Sequence, residues 1–182
     1  AQIMAKQLRE SQNLSKNIFQ KITKASNPAL DYPTDKGKPV KSYQESFGWA
    51  KELYKSDSEN VEFKNNLAIS YEKLGFTHIN LGDLKEAFRY FEAQMKLFEE
   101  LYKSYPKNVD FKNNLAISYS KLGEIHVSLG NLQKALCYFE KYKDLKKELY
   151  KSYPQNVSFK NGLAISYQFL GNTHYSLENL QK

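Results

Sequence analysis

The residues best suited to holding a metal or moving a proton are three histidines, His78, His126 and His174. They stand at intervals of 48 residues. A zinc ion needs three or four ligands meeting within about 2.1 Å of one point. One histidine per repeating unit makes a row rather than a cluster, so the expectation is that they pack and that no metal is held. There is no HExxH pair, no CxxC, no glycine-rich phosphate loop and no grouping of serine, histidine and aspartate. Catalysis and a cofactor are therefore not expected. The lone cysteine, Cys137, stands where Arg89 stands one unit earlier. One cysteine cannot form an internal disulfide, which fits a reducing, cytoplasmic setting.

The other chemistry-bearing residues are polar ones that return in identical words. KNNLAISY fills residues 64–71 and 112–119, and KNGLAISY fills 160–167. ELYKS recurs at 52–56, 100–104 and 148–152, again at a spacing of 48. Lys64, Lys112 and Lys160 thus correspond, as do Asn65, Asn113 and Asn161, and Ser70, Ser118 and Ser166. Asn66 and Asn114 are followed by Gly162. An asparagine amide donates and accepts at once, which suits reading a peptide backbone. The same row could instead bond neighbouring helices or cap them, and recent duplication alone would also produce identity. Other positions vary from unit to unit: Glu72, Ser120 and Gln168; Lys73, Lys121 and Phe169; Phe76, Glu124 and Asn172; Ile79, Val127 and Tyr175. A fixed row beside varied neighbours would combine general affinity with selectivity.

Helices must position these residues. Phe63, Leu67, Ile69, Tyr71, Leu74, His78 and Leu81 recur mostly at steps of three and four, the helical period. Asn60, Asn108 and Asn156 precede the equivalent helices as N-caps. Gly82 and Gly130 end the first two of them. A second helix follows Asp83, with Glu86 three residues on, and runs to about Ser104, where Pro106 stops it. Each unit is helix, tight turn, helix, short turn. Tyr54, Tyr102 and Tyr150, with Phe63, Phe111 and Phe159, recur in register and are expected between units.

This pattern resembles the tetratricopeptide repeat, whose signature places W-x2-L-G-x2-Y before A-x3-F and a proline. Tyr71, Leu74, Gly75, His78, Ala87, Phe91 and Pro106 match it in one unit. Tyr119, Leu122, Gly123, His126, Ala135, Phe139 and Pro154 match it in the next, and Tyr167, Leu170, Gly171 and His174 begin a third. The unit is 48 residues rather than about 34. The extra fourteen divide into two heptads, one per helix, which keeps each apolar stripe nearly in phase. The resemblance implies an all-α, right-handed superhelical solenoid of antiparallel helix pairs that binds a protein or peptide on its concave face. Arrays similar to those of kinesin light chain carry an NNLA word whose asparagine meets an extended ligand there. The candidate partner-binding residues are then Lys64, Asn65, Asn66, Glu72, Phe76, Lys112, Asn113, Asn114, Ser120, Glu124, Lys160, Asn161, Gln168 and Asn172.

The repeats divide as about 57–104, 105–152 and an incomplete 153–182. Residues 1–56 read as a degenerate helical pair. An amphipathic stretch over 1–25 is followed by a loop at 27–40 carrying Pro28, Pro33, Gly37 and Pro39. The chain lacks an initiator methionine, and the third unit lacks its second helix, so a longer protein is expected. The lysine-rich, arginine-poor composition and near-perfect repeats resemble those of multidomain bacterial signalling or defence proteins. Leu163, Tyr167, Leu170 and Tyr175 are expected on a face that the missing helix would cover. With 41% apolar and 26% charged residues the chain has the composition of a folded domain. No apolar run approaches the roughly 20 residues of a membrane span. Of the net charge of +7, residues 1–56 supply five, ten basic residues against five acidic. That basic third could offer nucleic acid a surface, but only Arg9 and Arg89 are arginine, the residue that reads bases and phosphates bidentately. The alternative to partner binding is self-association through exposed repeat ends.

Overall fold

The computed structural model describes residues 37–180. They form six helices: α1 (Gly37–Ser56), α2 (Val61–Asn80), α3 (Leu84–Ser104), α4 (Val109–Ser128), α5 (Leu132–Ser152) and α6 (Val157–Leu180). Each packs against the next along the chain, with the tightest pairings α2 on α3 and α4 on α5. The fold is an all-α solenoid of antiparallel helix pairs. The amphipathic stretch expected over 1–25 and most of the loop expected at 27–40 lie outside the described residues. The helix that follows begins at Gly37, inside that expected loop. Pro39 does not prevent this, because first-turn N–H groups have no partner within the helix.

Local chemistry sets the helix ends. The Asn60 side chain accepts hydrogen bonds from the Glu62 and Phe63 amides, and Asn108 and Asn156 accept from Phe111 and Phe159. Asp83 accepts from the Glu86 amide to start α3. At the other end of α2, Gly82 takes φ +77°, its N–H reaching Ile79 O while Asp83 N–H reaches His78 O. Gly130 repeats the arrangement at φ +74°. This paired bonding closes a helix and turns the chain back, and it needs a residue that tolerates positive φ. In the third unit the equivalent position is Glu178, and α6 runs on to Leu180.

Inside each pair, one glycine admits one phenylalanine. A methyl group on Gly75 would lie 2.7 Å from the Phe91 ring, and one on Gly123 would lie 2.4 Å from the Phe139 ring. Both rings are fully buried, and burying such a side chain stabilises by about 1.5–3 kcal/mol. The main core joins Leu53, Leu67, Phe98, Leu101, Leu115 and Ile125, running from α1 to α5. Beyond it lies a small second cluster of Ala135, Phe139 and Leu170. Ala68 and Ala116 are fully buried, whereas Ala164 on α6 is exposed. Tyr119 is 7% exposed and its equivalent Tyr167 54%. Of the four α6 residues expected on an open face, Tyr167 and Tyr175 are exposed and Leu163 is half-buried. Leu170 is not on that face: it is buried against Ala135 and Phe139 of α5.

Candidate partner-binding face

The first helix of each pair, α2, α4 and α6, carries the candidate residues, and these helices meet through their side chains. Lys121 of α4 lies over the Phe76 ring of α2, its ammonium 5.5 Å from the ring centre. Between α4 and α6 lies a cavity of about 310 Å³, with Glu124, Val127 and Ser128 on one wall and Asn172, Thr173 and Ser176 on the other. Phe139 and Phe169 form its floor, their rings stacked 4.7 Å apart.

The identical polar rows divide in their use. Lys64 donates to Glu100 at 2.9 Å and Lys112 to Glu148 at 2.8 Å. The lysine of one repeated word therefore bonds the glutamate of the other, across the two helices of one pair. The hydrogen bond to Glu100 holds the Lys64 ammonium above its ordinary pKa. Lys112 also lies over the Tyr102 ring of the preceding unit. Lys160 is exposed and has no acid partner among the described residues. The serine row is internal as well. Ser70 and Ser118 are buried and donate to the Asn66 and Asn114 carbonyls, while Ser166 donates to that of Leu163. The lysines of the complete units and the serines thus have partners inside their own units.

The remaining candidates differ in accessibility. Asn65, Asn66, Asn113 and Asn114 are half-buried, and Asn161 is exposed. Phe76 is engaged inside its own unit, edge-on to Phe91 at 5.3 Å. Ser120 is buried and donates to Glu124 at 3.2 Å, and Lys121 donates to the same carboxylate at 2.9 Å. Glu72 is half-buried; loss of solvent pushes its carboxyl pKa up, against the pull of Lys73 and Lys121. Gln168 and Asn172 are exposed on α6.

Sequence reasoning missed Lys146. It is 4% exposed and donates to Asn113 Oδ1 at 2.6 Å. Its ammonium lies 5.8 Å from the Tyr142 ring centre and 5.7 Å from that of Phe159. The available signal was a break in register, since Phe98 holds this place one unit earlier.

Two of the three histidines pack against aromatic rings, and the expectation that all three do is corrected at His174. His126 is buried, stacked on Tyr138 at 5.5 Å and edge-on to Phe88 at 5.3 Å. Burial, with a smaller contribution from Lys134, holds its pKa below the ordinary value. His78 lies beside Tyr90 and 3.6 Å from Asp83, whereas His174 is exposed. Among the described residues no three histidine, cysteine or acidic side chains converge as a metal site would require. Among the same residues no helix is long and apolar enough to cross a membrane.

Residues 66–148 match the tetratricopeptide repeat family. Over this stretch the chain is similar to tetratricopeptide repeats. The matched stretch takes in α3 and α4 whole, with most of α2 and α5. Such repeats serve as protein-interaction scaffolds. A solved structure described as "MamA RS-1 ArsTM double mutant" is 17% identical, with 87% of this chain and 97% of that one covered at a TM-score of 0.22. No curated protein matches the sequence.

Proposed function

We propose that the tetratricopeptide face formed by α2, α4 and α6 binds an extended segment of a partner protein. The observation that carries this reading is the cavity between α4 and α6, which has an aromatic floor and a polar rim. Its lining includes Glu124, Phe169 and Asn172, which replace Phe76, Lys121 and Glu124 of the preceding unit. An apolar floor with a few directed polar groups suits side-chain capture, and the half-buried Asn65 and Asn113 offer amides to a backbone. In this reading the chain is the interaction arm of a larger cytoplasmic protein of bacterial signalling or defence type.

A second reading, self-association, is favoured by the bare outer face of α6, with Tyr167 and Tyr175 exposed. One experiment separates the two. Peptides are selected from a random displayed library against the whole chain, and their footprint is mapped by amide chemical-shift changes, with light scattering on the same samples. Shifts at Glu124, Phe169 and Asn172 at constant mass support the groove. A footprint elsewhere would sink that reading, and mass rising with concentration alone would favour self-association.

A further inference from the structure

Two departures from the repeat meet at one joint. Lys146 of α5 stands where Phe98 stands in α3, and Gly162 of α6 stands where Asn114 stands in α4. They touch: a methyl group on Gly162 would lie 2.8 Å from Lys146 Cε and 3.1 Å from its Nζ. The missing side chain on α6 therefore makes the room that a buried lysine needs.

A buried ammonium is costly unless it is bonded. Among the described residues no carboxylate pairs with Lys146; its polar partner is Asn113 Oδ1. The two nearby aromatic rings stabilise the charge further. Burial pushes its pKa down from the ordinary value. An ammonium can only donate, so the Asn113 amide must turn its oxygen toward Lys146. Its nitrogen then faces away. That nitrogen has no partner among the described residues, nor is it one of the buried atoms lacking a partner, so it reaches solvent. Asn65, the equivalent residue one unit earlier, where Phe98 holds the register of Lys146, makes no such bond among the described residues.

We propose that Lys146 is a positioning residue that fixes the Asn113 amide with its N–H pair outward, making this rung a donor site for the carbonyl or carboxylate oxygens of an extended peptide. The inference rests on the groove reading above and adds a polarity to it. Asn113 presents donors with a positive charge behind them, so the ligand places an oxygen acceptor there. Asn65 and Asn161 are not oriented in this way.

The test uses the selected peptides as probes on the whole chain, in a double-mutant cycle of Lys146→Met and Asn113→Ala. Methionine is close to lysine in length and Gly162 leaves space for it, so both single variants are expected to fold. Thermal melts and amide spectra check this. Lys146→Met should weaken binding by about tenfold in the natural background, the equivalent of one lost directed hydrogen bond. It should change nothing further once Asn113 is alanine. Asn113→Asp keeps an acceptor for Lys146 and removes the outward donors, so it should fold normally and bind at least tenfold more weakly, again about one such bond. If Lys146→Met weakens binding equally in both backgrounds, or not at all, the positioning role is wrong while the groove reading stands. If the selected peptides footprint away from this face, the groove reading falls and takes this inference with it.

Discussion

The two joints of the array occupy the same register yet are built from different materials. Where the first pair meets the second, Phe98 and Gln94 of α3 are almost fully buried beside Met95 and Leu97, in continuity with the main core. Where the second pair meets α6, the equivalent positions are Lys146, Tyr142, Lys143 and Leu145. There Ala135, Phe139 and Leu170 form a small separate cluster, while Ile165 and Phe169 of α6 pack against the edge of the main core. Near-identical surface words thus cover unequal interiors. In a repeat array stability is close to a sum over units and nearest-neighbour contacts. The first joint buries a phenylalanine at the register where the second buries a lysine bonded to Asn113.

The contrast can be broken most directly at its two central residues. Phe98→Ala should destabilise by about 3–5 kcal/mol, the cost of truncating a buried phenylalanine, whereas Lys146→Met should leave stability unchanged or raise it, as replacing a buried charge by an apolar side chain often does. Urea titrations followed by circular dichroism measure both. Equal losses would mean that the joints are energetically alike.

A second pair of changes sharpens the difference between a complete unit and the last helix. Gly123→Ala pushes a methyl group into the Phe139 ring and should cost about 1–3 kcal/mol. Gly171→Ala meets nothing within 4 Å and should be neutral, or stabilising by up to about 1 kcal/mol through helix propensity. A large loss at Gly171 would show that its face is covered in solution.

Much of this was legible in the sequence. The cap asparagines and the closing glycines follow from local stereochemistry that recurs from unit to unit. The candidate site was legible only in part. That Lys64 and Lys112 serve Glu100 and Glu148 depends on side chains 36 residues apart crossing between helices. The Lys146 bond to Asn113 spans 33 residues in the same way. The identity of a repeated residue does not say whether it faces a ligand or its own partner. The residues that broke the repeat, Lys146 and Gly162, were the better guide to what is particular to this chain.

The smallest predicted effect is a pH dependence of the first joint. His126 is buried against Phe88 and Tyr138, and its folded pKa lies below the ordinary 6.5. The unfolded chain therefore takes up the proton first as pH falls. The neutral histidine's contribution is intact above 6.5 and is lost as pH falls from there through the lowered folded value. Denaturation midpoints from about pH 7 to about pH 5 should fall, and fall less in His126→Gln. An unchanged slope in that variant would remove His126 as the source.

Glu178 has a consequence for the path of the polypeptide. Gly82 and Gly130 reverse the chain because each can take a left-handed backbone conformation, and the next helix then returns alongside its predecessor. A glutamate at that register lacks the freedom of glycine to take positive φ. Leu132 heads α5 back along α4, whereas its counterpart Leu180 still climbs in the original direction. Over the described residues the backbone turns back after each of the two glycines and is still helical two residues past the glutamate.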